Sequence, residues 1–256
     1  MKYKPRNHGA NRMSHEGDVE RARKLFYNKN SKNLKFLVEK RFFWMNDFID
    51  QDQFGVEVGC GTGISKDFIN CKNYKVSDFS DSSWLDYKNV DALNTGFKSN
   101  QFDFVISSNM IHHVPYPILF FKEMRRIIKP GGKLIIQEIN CSTIMRFILK
   151  VMRHEGYDFT IDVFDEKLIC TDPEDLWSAN CAIPNLLFDN EEKFKSHISG
   201  FDFIHQGYSE FSIFLNSGGV ISKTIYIPLN NFFLKILNLI DELFVAVFPK
   251  IFALQR

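Results

Sequence analysis

The chain has 256 residues, with 32 Lys and Arg against 31 Asp and Glu and a formal charge of +1. A hydrophobic share of 45% is too high for a disordered polymer, and the length suffices for one large domain with an insertion. The even charge balance argues against a dedicated nucleic-acid binder, so no nucleic-acid partner is expected. The balance is uneven along the chain, because residues 1–41 carry 12 Lys and Arg against 4 Asp and Glu. Such a basic arm suits an anionic acceptor, a membrane surface or the acidic remainder of the chain itself.

Five cysteines at irregular spacing (Cys60, Cys71, Cys141, Cys170, Cys181) read as free thiols of a reducing compartment. The basic N-terminus lacks the apolar stretch of a signal peptide, and no uncharged apolar run is long enough to span a bilayer. A cytoplasmic location is the expectation.

In chain order, residues 1–15 read as irregular. From Asp18 to about Phe48 apolar residues recur at helical spacing, with a break at Asn28 to Ser31. Phe54 to Val58 is a short strand, stopped by Gly59-Cys60-Gly61-Thr62-Gly63. A helix is predicted over 64–71, a second strand over 74–79 and a third ending at 89–92. Phe102 to Ser107 is a fourth strand, apolar enough to be buried on both faces. Residues 115–128 read as a helix ended by Lys129-Pro130-Gly131-Gly132, and 133–139 as a fifth strand. Alternating strands and helices predict an α/β fold with a mostly parallel, Rossmann-like sheet and helices on both faces. The runs 201–215 and 220–228 around Asn216-Ser217-Gly218-Gly219 predict an antiparallel C-terminal hairpin.

The glycine loop is the most informative stretch, since glycines after a strand let a ligand approach the backbone closely. The dinucleotide fingerprint would need a small residue at position 64, where Ile64 stands. An acid at Glu57 suits a ligand with a positive charge, such as an amino-acid ammonium. VEVGCGTG resembles the first motif of class I S-adenosylmethionine (SAM)-dependent methyltransferases. The resemblance continues in order through VSDFSDSSWL, VDALNTGFKSNQFDFVISSNMIHHV and FKEMRRIIKPGGKLII, over residues 53–140. Its closest flavour is the broad type 11-like group containing quinone and sugar methyltransferases.

That resemblance implies SAM as cofactor, S-adenosylhomocysteine (SAH) as co-product, and the class I methyltransferase sheet with its antiparallel last strands. It assigns Gly59, Gly61 and Gly63, with Cys60, to the loop against the methionine part of SAM. Glu57 matches the acid organising the amino end, and Asp78, followed by Phe79, the acid for both ribose hydroxyls. Asp91 and Ala92 match the position beside adenine. The interval from Asp78 to Asp91 is shorter than the family's, implying a truncated second helix. Asn109 opens the loop between cofactor and acceptor, and there His112 or His113 is a candidate general base. Only one of these neighbours is expected to face the acceptor. Glu138 either orients the acceptor or lies solvated at the sheet's rim. No familiar metal-ligand spacing is present, so no metal is expected.

The expected organisation is an N-terminal helical cap (1–50), a SAM-binding core (51–140) and a substrate-side insertion or lid (141–183). The remainder of the core with the hairpin (184–228) and an apolar C-terminal helix (229–256) follow. The insertion holds Arg146, Arg153, His154, Tyr157 and Trp177, a set able to stack on and hydrogen-bond a polar ligand. DPEDLWSANCAIPNLLFDN resembles a segment of methyltransferases from bacterial surface-polysaccharide pathways. The implied acceptor is a small, phosphate-bearing molecule such as a nucleotide sugar, methylated on a hydroxyl or less readily an amine. The alternatives are a quinone or lipid-linked acceptor, a non-catalytic SAM-binding subunit, and an NAD-dependent oxidoreductase disfavoured by Ile64. The C-terminal segment reads as a core or homodimer helix in preference to a peripheral membrane face. Abundant Phe, Lys and Asn suggest an AT-rich bacterial genome.

Overall fold

The computed structural model describes residues 1–5, 19–28, 32–153, 155–219 and 224–256. The expectations for most of the basic arm, for the break at 29–31, for His154 and for part of the hairpin lie outside the described residues. β1 (Lys2–Tyr3) is followed by α1 (Val19–Tyr27) and α2 (Lys32–Phe43), the latter running into a 3-10 turn at Trp44–Phe48. β2 (Phe54–Val58), β3 (Asn73–Ser77), β4 (Phe102–Ser108) and β5 (Ile128–Gln137) form one sheet in the order β3-β2-β4-β5. All three pairings are parallel, as the alternating pattern predicts. α3 (Pro117–Ile127) connects β4 to β5.

Both faces of this sheet are covered. Phe104 and Ile106 of β4 pack with Leu37, Met45 and Val76 on one side. Val105 points to the other, among Phe120, Met124 and Ile127 of α3. Gly55 is glycine because the Phe104 ring occupies the space a Cβ would need.

The chain continues through α4 (Thr143–Met152), β6 (Tyr157–Asp158), α5 (Ile183–Phe188), α6 (Glu191–His197), α7 (Ser212–Leu215), α8 (Asn231–Val247) and α9 (Pro249–Phe252). β1 and β6 pair antiparallel. Among the described residues, no helix is long and apolar enough to cross a membrane.

Two local expectations are corrected. The helix predicted over 64–71 is only a 3-10 turn, Ile64–Asp67. The Asn46 side chain takes the Phe68 carbonyl (2.9 Å) and the Asn70 amide (2.8 Å), which ends it. No strand forms at 89–92: Asn89 has φ 54°, and the Asp91 carboxylate folds back onto the Leu93 amide (2.8 Å) in a side-chain turn.

In the C-terminal part the chain reverses as expected, with the Gly218 amide bonded to the Ile225 carbonyl (3.0 Å). The flanking segments do not join the sheet, because the buried Asp241 carboxylate gathers the amides of Phe211 (3.1 Å), Ser212 (3.0 Å) and Ile213 (2.9 Å). A buried carboxylate without donors is costly, so residues 211–213 wind around it into α7. Residues 254–256 supply antiparallel pairing instead, lying against 138–140 on one side and Ser209 on the other. Finally, the 141–183 stretch contains the helix α4, and Val163, Phe164 and Cys170 are buried in the main core.

Candidate active site

The carboxyl ends of β2, β3 and β4 converge, the place where open α/β sheets bind ligands. Gly59, Gly61 and Gly63 have φ of 72°, 51° and 62°. All three are left-handed, a conformation that L side chains adopt only with strain. A Cβ at Gly59 would overlap Met110, whereas at Gly61 it would meet, among the described residues, only Val19, 3.8 Å away. Among the described residues, no other group covers this face of Gly61.

Asp78 follows β3 and accepts from the Gly61 amide (2.8 Å) and the Ser80 amide (3.0 Å), so one carboxylate ties the glycine loop to the next turn. Phe79 is exposed beside it. Trp84 donates its indole N–H to the Gly61 carbonyl (3.0 Å), and Arg23 of α1 reaches the Thr62 carbonyl (2.6 Å) with its guanidinium over the Trp84 ring. Sequence reading missed both residues; the N-terminal helix and a distant turn meet only in the fold. Asp91 and Ala92 lie in the turn that replaces the third strand.

Glu57 is buried, and its Oε2 accepts from Ser65 and from the Tyr74 hydroxyl (2.9 Å). Burial raises its pKa to about 7, with the Asp78 charge adding and the two hydroxyl bonds opposing. With Cys60, Ser108, Asn109 and Arg41, Glu57 lines a cavity of about 130 Å³. Burial pushes the Cys60 thiol well up, which keeps it protonated and unsuited to nucleophilic attack. Arg41 makes a two-pronged pair with Glu210 (2.6 and 2.7 Å).

The raised pKa of Glu57 has a measurable consequence. A folded pKa near 7 against 4.5 unfolded means stability is fully present below pH 4.5 and is lost as pH rises through 7. The loss is about 3 kcal/mol. Urea titrations at pH 5 and pH 8 are expected to show that Glu57→Gln loses less stability between them than the parent, by about that amount.

The turn after β4 abuts this loop. Asn109 has φ 50° and donates its amide to the Gln137 carbonyl (2.8 Å). Glu138 is not a solvated rim residue as one sequence reading had it: it is fully buried. Its carboxylate accepts from the Met110 amide (2.6 Å), the Ile111 amide (2.5 Å) and His112 Nδ1 (2.6 Å). Burial lowers the His112 pKa, but the Glu138 charge and hydrogen bond outweigh it, so the net shift is upward. His113 donates Nδ1–H to the Ser178 carbonyl (3.0 Å), and burial with the adjacent His112 lowers its pKa to about 4.

The two histidines do not diverge as expected: their ring centroids are 4.2 Å apart. One ligand atom from each of His112, His113 and Glu155 lies within 4.8 Å of the others, a spacing able to hold a cation. Glu155 is remote in sequence, which is why linear spacing predicted no such group. The 170–180 segment closes over this turn through Thr171 Oγ1 to the His113 carbonyl (2.7 Å) and the Asn180 amide to the His112 carbonyl (2.8 Å). Trp177 stands edge-on to His113, with centroids 6.2 Å apart. Arg146 and Arg153 instead lie on and after α4, and Tyr157 is buried in β6.

The donor set fits SAM. Bare glycine backbone, a carboxylate at the end of the second strand and a small cavity holding an acid and a cation are the features its ribose and amino-acid ends require.

Residues 56–136 match the family model described as "Methyltransferase domain". Phosphoethanolamine N-methyltransferase 2 of Caenorhabditis elegans is 34% identical over 85 residues, 33% of this chain and 19% of that protein. Demethylmenaquinone methyltransferase of Staphylococcus haemolyticus (strain JCSC1435) is 28% identical over 133 residues, 48% of this chain and 55% of that one. Among solved structures, the trans-methyltransferase CalH in complex with SAH is similar at a TM-score of 0.32 and 20% identity, covering 46% of this chain and 42% of that one. The chain spans about half, or less, of the length of these relatives. Over residues 56–136 this chain is similar to methyltransferase domains.

Proposed function

We propose that the chain is an active SAM-dependent methyltransferase acting on a hydroxyl of a small polar acceptor, with a sugar or nucleotide sugar as the leading class. The observation that carries this reading is the contact between two halves of one site. Met110, whose amide is held by Glu138, sits against Gly59, so the glycine loop abuts the turn that carries the His112–Glu138 pair.

SAM supplies an electrophilic methyl group on a sulfonium. The chain must position both ligands and accept the acceptor's proton. In this reading Asp78 accepts from the ribose hydroxyls, while Glu57 and Arg41 receive the ammonium and carboxylate of the amino-acid end. Neutral His112 keeps Nδ1–H on Glu138 and offers its other nitrogen to the acceptor hydroxyl. Glu138 stabilises the imidazolium that results, as a carboxylate does behind any catalytic histidine. His113, neutral above about pH 4, serves as a hydrogen-bonding partner and not as the proton sink. Trp177 offers a stacking face for the acceptor.

A second reading, a quinone or lipid-linked acceptor, is supported by the relatives named as demethylmenaquinone methyltransferases. A cavity of about 980 Å³ along the outer edge of β5, lined by Trp44, Phe48 and Phe203, is roomy and aromatic enough for such a ring.

Calorimetric titration with SAH, with NAD as control, tests the cofactor. Binding of SAH alone is expected, weakened roughly a hundredfold in Asp78→Ala, the loss of a charge-assisted contact at a half-buried carboxylate. A folded protein that ignores SAH would overturn the reading. Screening nucleotide sugars against demethylated quinones then separates the two acceptor classes.

A further inference from the structure

We propose that α8, α9 and α4 together form a docking face for an anionic lipid surface. α8 turns Leu234, Asp241 and Val245 inward, where all three are buried. Its opposite side is bare and apolar: Phe232, Leu239, Leu243 and Val247 each expose 57–67% of their surface. Folded proteins rarely leave a patch of this kind uncovered unless something binds it. The neighbouring α4 adds Phe147 and Val151, exposed by 65% and 63%. α9 touches both helices and joins the two bare sides.

Sequence reading favoured a packing or dimer helix because Asp241 and Glu242 interrupt the apolar run and basic residues are few. The fold changes that balance. Asp241 faces inward and is consumed by the amides of 211–213. Glu242 is held by Asn238 (2.6 Å) and lies 3.6 Å from Lys40. α4 and α9 contain no acid, and they carry Arg146, Lys150 and Lys250, while α8, which touches α9, carries Lys235. An apolar side fringed by cations is what an interfacial helix presents to acidic headgroups. A second copy on this face would set those cations against each other, so the charge pattern favours lipid over self-association. α4 begins five residues beyond Glu138, so the face lies near the acceptor side of the sheet.

Flotation of the full chain with vesicles of phosphatidylcholine plus phosphatidylglycerol, and of phosphatidylcholine alone, tests this. Binding to the anionic vesicles is expected, falling with added salt. Lys150→Gln and Lys250→Gln should each reduce it roughly fivefold. Leu239→Glu should reduce it at least about tenfold, since it removes apolar area and adds a repelled charge. All three positions are solvent-exposed, and circular dichroism verifies that the variants fold. Light scattering gives the oligomeric state alongside. A folded monomer that fails to float with anionic vesicles would overturn the proposal. So would a dimer that Leu239→Glu dissociates and that never binds vesicles.

Discussion

Replacing Glu138 with Ala is expected to destabilise the protein by about 3–5 kcal/mol, the range for removing one partner from a buried charged group. The reason is the number of donors that converge on one carboxylate. The amides of Met110 and Ile111 and the His112 ring all give hydrogen bonds to it, and Ile111 and His112 are themselves buried. Glu138→Gln separates structure from charge. The amide oxygen still accepts from part of the set, so the loss of stability should be smaller, while the charge that raises the His112 pKa disappears.

NMR titration of the His112 ring should therefore show its pKa falling in Glu138→Gln. The stability that this histidine contributes follows the same logic. A raised folded pKa gives stability that is present below 6.5 and lost as pH rises through the folded value. The Gln variant should lose that dependence. If His112 is the proton acceptor, methyl transfer in the parent rises with pH through that raised value. In the variant the limb moves to lower pH while the maximal rate drops about 10²–10⁴-fold. An unchanged His112 titration in Glu138→Gln would remove the electrostatic link on which this depends.

The second large effect is expected at Gly61. Gly61→Ala should cost only about 1–2 kcal/mol in stability, the strain of a left-handed alanine, because among the described residues only Val19 approaches the new methyl group. SAH affinity should nevertheless fall by about a hundredfold or more, since that methyl would stand on the face left bare for the ligand. Gly59→Ala is the informative contrast. Its Cβ overlaps Met110, so the damage is built into the folded protein and its urea midpoint should fall further than that of Gly61→Ala. Paired urea titrations and SAH calorimetry on the two variants measure this. Equal affinity for SAH in Gly61→Ala and the parent would mean that the ligand lies elsewhere.

The local parts of the design were legible because each rests on a short-range rule. The apolar run Phe54–Val58 followed by three glycines marked β2 and the turn after it, and β4 appeared at nearly its observed bounds. Asp78, Glu57 and the histidine pair were singled out through the family resemblance of the motifs around those strands, and the structure sets them at or just beyond the ends of β2, β3 and β4. The weak points were local as well, such as the helix predicted over 64–71. The strand-then-helix alternation suggested a helix there, but Asn46, from the segment before β2, captures the groups that would have continued it.

What the sequence determined by itself was therefore the parallel sheet, the glycine loop and the set of acids and histidines at its carboxyl edge. Periodicity and turn chemistry act over a few residues and can be read without the fold. Only the tertiary structure decided what those groups became. It buried Glu138 under His112, brought Glu155 beside two histidines, laid Trp84 and Arg23 over the glycine loop, and spent Asp241 on α7 so that the outer side of α8 is left apolar. Burial and charge pairing depend on which distant segments meet, and no spacing along the chain encodes that.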